Sequence, residues 1–383
     1  MKNNSFFLSV ALLLGTMIGA GIFGIPYVVS RSGMFPALFY FLILGVASLL
    51  IHLFLGEIIL RTKEKHRLPG YAQKYLGDWA KILAAFSVVL GITLALLAYI
   101  ILGGNFLNIL FSSFNGLSSF HFSLIFSFIL FPFIVRKVKF VAKTEVLTNI
   151  IFVLIIFLIF FLSLEKLNLD NFSLLADELV WDNIFLPYGV ILFSLIGWSA
   201  VPEMADVLEK KEDKKQFKKA IIFSIIIAIF TYLLFVFSVV GVSGKNTSPE
   251  TFSGLLSYLD PKIVLLGVLA GVITIADSFL ILSLHLRNTL IYDYGFQMIP
   301  ALFMSWGVPL ILFLSGFRQF IDVIGIAGTF IGAIDGILII LIFQKAKVLG
   351  NREPEYSLKT PSFITYSLII IFILGAISQF FLT

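Results

Sequence analysis

The stretch LLLGTMIGAGIFGIPYVVS, residues 12–30, is apolar enough to cross a membrane, yet it is crowded with residues that weaken helices. These residues are Gly15, Gly19, Gly21, Gly24 and Pro26. Glycine costs a helix interior about 1 kcal/mol relative to alanine, and proline removes an internal hydrogen bond. Since hydrocarbon offers no partner to backbone groups, irregular backbone is tolerated in a membrane only around a protein-lined cavity. We therefore predict a helix interrupted near Gly19–Gly21; close packing of unbroken helices through small residues is the alternative.

The composition of the chain is that of a membrane protein. Of its 383 residues, 59% are hydrophobic and 13% are charged, whereas soluble domains carry about 25% charged residues. Apolar runs of the roughly 20 residues that cross a bilayer recur along the whole chain. The absence of cysteine excludes disulfides and thiolate chemistry. Because the first run is longer than the h-region of a signal peptide, we expect it to be a membrane span.

The hydropathy pattern predicts eleven membrane-spanning helices joined by short connections, which we interpret as one transmembrane domain over residues 1–383. Their approximate ranges are 7–30, 35–60, 81–104, 118–135, 145–164, 184–206, 218–241, 262–286, 299–316, 321–343 and 363–382. The segment 67–81 before the third span has the pattern of an amphipathic helix at the cytoplasmic surface.

The basic residues predict the orientation of these spans. With the N-terminus inside, 22 of the 27 lysines and arginines fall in cytoplasmic segments. This strong positive-inside bias supports the predicted set of spans, whose connections alternate between the two sides of the membrane. We expect a multi-pass protein of the cell (plasma or inner) membrane with a cytoplasmic N-terminus and an external C-terminus. The bias also explains the net charge of +5 without a nucleic-acid partner.

The sixth predicted span repeats the interruption of the first. Its stretch LPYGVILFSLIGWSAVPEM, residues 186–204, contains Gly197 and then Pro202. Because the two spans are five apart, they have opposite orientations in the membrane. Paired interrupted spans at matching positions indicate a transporter built from an inverted repeat. We predict an all-α membrane protein with repeats at about 7–164 and 184–343 and an additional helix at 363–382.

Two broken helices also predict the chemistry of the ligand. The N-terminal end of a half-helix is partially positive and attracts a carboxylate, whereas the carbonyl end attracts an ammonium group or a metal cation. A zwitterion needs both ends. The predicted substrate is therefore an amino acid.

Several motifs resemble those of a known transporter family. GTMIGAGIFGIP at 15–26 resembles the first-helix signature of the amino acid–polyamine–organocation superfamily. Three other stretches resemble the bacterial hydroxy- and aromatic-amino-acid permeases, which include tyrosine, tryptophan and serine permeases: FSLIGWSAVPEM at 193–204, ADSFLILSLHL at 276–286 and MIPALFMSWGVPLILFLSGFRQFIDVIGIAGTFIGAI at 298–334. The resemblance covers nearly the whole chain. It implies a leucine-transporter-type fold, with discontinuous helices one and six, and cation-coupled uptake of amino acids.

The resemblance also implies which residues contact substrate. By position they are Thr16, Met17, Ile18, Gly19, Ala20, Gly21, Phe193, Ser194, Leu195, Ile196 and Gly197. Tyr99 and Trp198 are aromatic candidates for lining the same site. In sodium-coupled relatives a cation lies between the first break and the eighth helix. The matching positions here are the carbonyls of Gly15 and Ile18, followed by Thr274, Asp277 and Ser278.

Asp277 is a departure from the resembled pattern, which commonly has threonine followed by serine where this chain has Asp277–Ser278. Some proton-coupled relatives place a lysine in the fifth helix, but the middle of that helix carries no basic residue here. Asp277 is therefore the main candidate for coupling to H⁺ or Na⁺. A structural carboxylate bonded to a neighbouring hydroxyl is the alternative.

Two other acidic residues in predicted spans are candidates for gating. Asp335 lies in the middle of the tenth span, where a carboxyl group is costly, and would serve in packing or in a proton relay. Glu203 would gate the cytoplasmic exit or pair with a lysine of a loop. His52 and His285 are isolated in their spans, so we predict no metal site at either.

The sequence favours a secondary transporter that imports an amino acid by alternating access. An amino-acid sensor of the same fold and an integral-membrane enzyme are alternatives, although no motif of an enzyme is present. We predict no cofactor beyond the coupling ion, no obligate protein partner, and contact with substrate and lipid alone. The identity of the amino acid, the choice between H⁺ and Na⁺, and the oligomeric state stay open.

Overall fold

The computed structural model describes residues 2–111, 116–135, 141–175, 181–208, 211–292 and 294–379. Within these ranges the chain is helical and forms no β-strand. Several basic residues counted for the orientation (136–140 and 210) and the end of the eleventh predicted span (380–382) lie outside the described residues.

Seven α-helices make up the first half of the chain. They are α1 (Lys2–Met17), α2 (Gly21–Ser32), α3 (Met34–Arg61), α4 (Leu68–Leu76), α5 (Asp78–Leu110), α6 (Ser119–Val135) and α7 (Val141–Ser163). The short α4 is the predicted amphipathic segment: Tyr71 and Tyr75 on it are buried, and Gly77, at a φ of 94°, allows the chain to turn directly into α5.

The second half of the chain begins at the second interrupted span. Its helices are α8 (Trp181–Leu195), α9 (Val201–Val207), α10 (Lys211–Lys214), α11 (Phe217–Ser243), α12 (Phe252–Leu255), α13 (Pro261–Tyr292), α14 (Met298–Leu302), α15 (Val308–Leu314), α16 (Phe320–Ile326), α17 (Gly332–Leu349) and α18 (Ser362–Ser378). One π-helical turn joins α14 to α15 and another joins α16 to α17.

Each of the eleven predicted spans has a helical counterpart in the described residues. Within the described part of the chain, six helical segments are long and apolar enough to cross a membrane, counting α8–α9 and α16–α17 as one segment each, and the bent pair α1–α2 makes a seventh. Three shorter apolar segments match the fourth, ninth and eleventh spans, and α7 matches the fifth. The largest difference in length is at the third span, where α5 is 33 residues long. The repeat boundaries and the single domain stay predictions.

The two interrupted spans pair crosswise. Helix α2 packs against α8, and α1 packs against α9. The first half of each interrupted span therefore lies against the second half of the other, as expected for two segments of opposite direction. This arrangement brings both interruptions to one level in the interior of the protein.

Phenylalanines close the end of the interior that faces away from α4. Phe23 of α2 contacts Phe106, Phe152, Phe235 and Phe252, with ring centroids 4.9–6.3 Å apart. Thr251, which precedes α12, also donates a hydrogen bond to the Phe23 carbonyl at 2.6 Å. All five rings are fully buried or nearly so. On this side of the breaks the structure is tightly packed.

Candidate functional site

The first break lies between α1 and α2. Ile18, Gly19 and Ala20 leave the helical path, and the two half-helices are bent by 55°. A helix leaves its first four N–H groups and its last four carbonyls without intrahelical partners. The break therefore presents partially positive N–H groups from the start of α2 and partially negative carbonyls from the end of α1.

The second break lies between α8 and α9. Ile196 and Gly197 interrupt the helix, with Gly197 at φ −143° and ψ 7°, and a 3₁₀ turn at Trp198–Ala200 leads into α9. Pro202 lies in the first turn of α9, where its missing N–H removes no helical bond. Proline therefore starts the second half-helix.

The two breaks touch one another. A side-chain carbon added at Gly21 would lie 2.2 Å from Ser194 Oγ and 2.9 Å from Ser194 Cα. A carbon added at Gly197 would lie 2.6 Å from Met17 Cγ. Gly21 therefore lets the backbones of the two breaks approach closely, and Gly197 leaves room for the Met17 side chain of the first break.

A tyrosine of α11 holds both breaks. The hydroxyl of Tyr232 lies 2.7 Å from the Met17 carbonyl oxygen and 2.8 Å from the Ser194 carbonyl oxygen. Tyr232 is fully buried. Nothing in its apolar sequence surroundings distinguishes Tyr232 from the other tyrosines of the chain, so the sequence alone did not indicate it.

A cavity of about 1210 Å³ extends from the breaks to the end of the protein that carries α4. Its lining includes most of the predicted substrate contacts: Thr16, Met17, Gly19, Ala20, Gly21, Tyr99, Phe193, Ser194, Ile196 and Trp198. The Tyr99 hydroxyl lies over Gly19, where an added carbon would approach it to 2.9 Å. The structure thus brings these residues from three segments to one cavity.

Three predicted contacts lie behind this lining. Ile18 and Leu195 are buried, and the Leu195 carbonyl accepts a hydrogen bond from Ser48 of α3 at 2.9 Å. Gly197 packs on Met17. These three residues shape the breaks without lining the cavity.

The predicted cation residues are divided between the cavity and the helix packing around it. Gly15 and Ser278 line the cavity, whereas Thr274 is buried. Asp277 is half-buried, and its Oδ2 accepts a hydrogen bond from Thr148 of α7 at 3.1 Å. The Asp277 carboxylate therefore lies where α13 packs against α7. Its bond to the Thr148 hydroxyl is the kind of contact that the alternative interpretation, a structural carboxylate, requires.

Asp335 lies beside the second break. It lines the cavity, is 3% exposed, and accepts a hydrogen bond from Trp198 Nε1 on Oδ2 at 3.0 Å. Ser87 of α5 faces the same carboxyl group. Neither Ser87 Oγ nor Asp335 Oδ1 makes a hydrogen bond within the described residues. The carboxyl group is thus in direct contact with the residue that follows the glycine of the second break.

His52 of α3 also packs against Trp198, with ring centroids 5.9 Å apart. Its Nδ1 lies 2.7 Å from the Ser48 carbonyl oxygen. Because a carbonyl only accepts, Nδ1 carries a proton. Nε2 has no partner in the described part of the chain. His52 is therefore a buried neighbour of the break, which its isolation in the sequence did not indicate.

Ion pairs surround the mouth of the cavity. Glu203 pairs with Arg67 of the loop before α4, and Asp206 pairs with Lys65 at 2.6 Å. The predicted partner of Glu203 was a loop lysine, and the structure supplies a loop arginine. Both pairs are solvent-exposed, so each contributes little to stability. They join α9 to the loop at 62–67.

The same loop is anchored by Glu64. The hydrogen bond from Lys74, together with bonds from the backbone and Asn351, lowers the pKa of the Glu64 carboxyl from 4.5 to about 2. A depressed carboxyl pKa stabilises the fold above the unfolded value, and the effect is lost as the pH falls through about 2. This anchor is therefore unaffected by pH changes near neutrality.

The arrangement of broken and crossed helices defines the class of protein. The chain is similar to the crystal structure of MhsT in complex with L-phenylalanine, with a TM-score of 0.63 and 14% identity, over 99% of this chain and 97% of that one. This likeness shows the leucine-transporter-type fold, with its five-plus-five inverted repeat.

Sequence comparison identifies the family. The model of the tryptophan/tyrosine permease family matches residues 2–379. The chain is also 23% identical over 361 residues to Glutamine transporter 2 of Aliivibrio fischeri (strain ATCC 700601 / ES114), covering 92% of this chain and 91% of the relative. The chain belongs to the tryptophan/tyrosine permease family and is a multi-pass membrane transporter of amino acids.

Proposed function

We propose that this permease imports an amino acid by alternating access, with uptake driven by a cation gradient. The observation that carries the proposal is the meeting of two broken helices at the closed end of a deep cavity. Helix-end N–H groups and carbonyl oxygens meet there, and these supply the two signs of partial charge that a zwitterion requires.

In this proposal the substrate carboxylate binds at the start of α2, near Gly21, and the ammonium group binds carbonyls at the end of α8. The side chain lies against Tyr99, Phe193 and Trp198. Apart from Asp335, the lining near the breaks is uncharged, which supports a neutral amino acid. Glutamine, after which the Aliivibrio fischeri relative is named, and the L-phenylalanine bound to MhsT are neutral as well.

Coupling is assigned to the predicted cation residues: Gly15, Ile18, Thr274, Asp277 and Ser278. Asp277 is the ionisable member, and its contact with Thr148 links α13 to α7. Binding of H⁺ or Na⁺ at this carboxylate would change the packing of these helices. Glu203 and Asp335 act as gating residues at the mouth of the cavity and at the second break.

The orientation follows from the basic residues. The mouth of the cavity lies among segments that the positive-inside bias assigns to the cytoplasm. The proposed conformation is therefore inward-facing, with the five phenylalanines as the closed outer gate. The N-terminus is cytoplasmic and the C-terminus external, in the cell membrane.

Purified protein in liposomes tests the function. Labelled amino acids are offered with an inward sodium gradient, with an inward proton gradient, and with neither. We expect one gradient to drive accumulation above equilibrium, and unlabelled neutral amino acids to compete. Binding without transport under all three conditions would indicate a sensor and contradict the proposal.

A further inference from the structure

The fully buried phenol of Tyr232 contributes no surface to the cavity, yet its hydroxyl reaches the ends of two half-helices. Met17 is the last residue of α1, and Ser194 is the last but one of α8. Both carbonyls lie in the last turn of a helix, where intrahelical partners are missing, although the Met17 oxygen also accepts the Gly19 N–H at 2.9 Å. Tyr232 itself lies near the middle of α11, which packs against both α1 and α2.

The electrostatics of this contact are unusual. Each helix C-terminus carries a partial negative charge, and the effect is strongest within the last turn. Here two such ends converge on one point in the interior, where weak screening increases their repulsion. The single proton of the phenol is the donor that lies between them. Without this proton, the two carbonyl oxygens would face one another with no shared donor between them.

We propose that Tyr232 is a positioning residue for substrate: its hydroxyl joins the ends of α1 and α8 and thereby sets the width of the gap in which the charged groups of the amino acid bind. The inference rests on the proposed function of the breaks as the substrate site. Met17 and Ser194 both line the cavity beside their contact with Tyr232, so a shift of either carbonyl changes the site directly.

A second buried tyrosine offers a matched control. Tyr188 of α8 is 4% exposed, and its hydroxyl donates to the Ile371 carbonyl of α18 at 3.2 Å. Tyr188→Phe and Tyr232→Phe therefore each remove one buried phenol hydroxyl that bonds to a helix carbonyl. They differ in whether that carbonyl lies at a break.

The test is the substrate concentration dependence of uptake in membrane vesicles. KM reports only the protein that is folded, so it is insensitive to how much of each variant survives. We expect Tyr232→Phe to raise KM about tenfold or more, since small displacements of binding groups have large effects. Tyr188→Phe should leave KM within about twofold of wild type, even if a lost buried hydrogen bond lowers its Vmax by reducing the folded amount.

Other results would overturn the inference. An unchanged KM for Tyr232→Phe, with only Vmax reduced, would show a purely structural hydroxyl. Loss of Tyr232→Phe from the membrane while Tyr188→Phe accumulates normally would show that the hydroxyl is needed for folding itself. Failure of the wild type to transport any amino acid would refute the proposed function instead, and the two failures are thus distinguishable.

Discussion

At the scale of single residues, the glycines of the first break differ in what surrounds them. Gly21 faces backbone as well as side chain of Ser194, with an added carbon 2.9 Å from Cα. Gly19 faces the hydroxyl end of Tyr99 at the same distance. A side-chain end can move aside, whereas a helix backbone cannot move without displacing the break.

We therefore predict that Gly21→Ala is the more damaging substitution. It should reduce substrate affinity at least about tenfold by forcing the half-helices apart, and Gly19→Ala should have a smaller effect. Larger residues such as valine should abolish binding at either position. Equilibrium binding of labelled amino acid to each purified variant measures these affinities.

Gly325 is the matched control, since it lies in a helix and an added carbon there meets no atom within 4 Å apart from its own helix backbone and chain neighbours. Gly325→Ala should bind substrate as the wild type does. Equal affinity of the Gly21→Ala and Gly325→Ala variants would contradict the steric argument.

The second prediction at this scale concerns the coupling carboxylate. Asp277→Asn keeps the shape of the side chain and an oxygen to accept from Thr148, but it removes the charge. We expect loss of gradient-driven accumulation, while exchange of internal for external substrate persists. Radiolabel accumulation and counterflow in the same liposomes separate the two activities.

Asp170, in the connection after α7, is an exposed control for this charge removal. Asp170→Asn should accumulate substrate normally. Full accumulation by Asp277→Asn would move the coupling site away from this residue.

At the scale of elements, the connection between α17 and α18 is fastened to the end of α3. Glu57 is fully buried and accepts hydrogen bonds from Arg61 at 2.8 Å, Ser357 at 3.1 Å and the Leu358 backbone at 2.6 Å. Tyr356 adds a bond to the Leu53 carbonyl at 2.7 Å. Glu57 therefore forms a salt bridge with Arg61 and also anchors the connection between α17 and α18.

Glu57→Ala should therefore destabilise the protein by about 1–3 kcal/mol, because three donors lose their acceptor. The thermal midpoint in detergent should fall, and the connection at 350–360 should become more sensitive to protease. Glu353 in the same connection is exposed, and Glu353→Ala should change neither measurement. A normal midpoint for Glu57→Ala would show that the anchor is redundant.

At the scale of the whole molecule, one end of the interior is open and the other is packed. The cavity reaches the end that carries α4 and the ion pairs of Glu203 and Asp206. The five phenylalanines fill the opposite end. A transporter in this state exchanges substrate with one side of the membrane only.

Single cysteines test this asymmetry in a chain that has none of its own. Ala85 lines the cavity, whereas its neighbour Ala84 is fully buried. An impermeant thiol reagent should label Ala85→Cys in inside-out vesicles and leave Ala84→Cys unmodified. Labelling of Ala85→Cys only in right-side-out vesicles would reverse the assigned orientation.

Much of the fold was predictable because lipid imposes strong local constraints. Span lengths, the alternation of basic residues and the paired glycine–proline interruptions are all visible in one dimension. The family resemblance then pointed to the residues of both breaks, most of which line the cavity. The prediction differed from the structure at the partner of Glu203, which is Arg67 and not a lysine. The partner depends on which loop residue the fold places opposite the Glu203 carboxylate.

The composition and spacing of the chain are sufficient to predict the spans, the two breaks and a zwitterionic ligand. Hydrophobic length and helix breaking depend on residues that are close together in the sequence. The contacts of Tyr232 with Met17 and Ser194, of Asp335 with Trp198 and of Glu57 with the last connection join residues far apart in the chain. Such contacts depend on how whole helices pack. No local pattern encodes them, and so only the folded molecule reveals which buried polar groups meet.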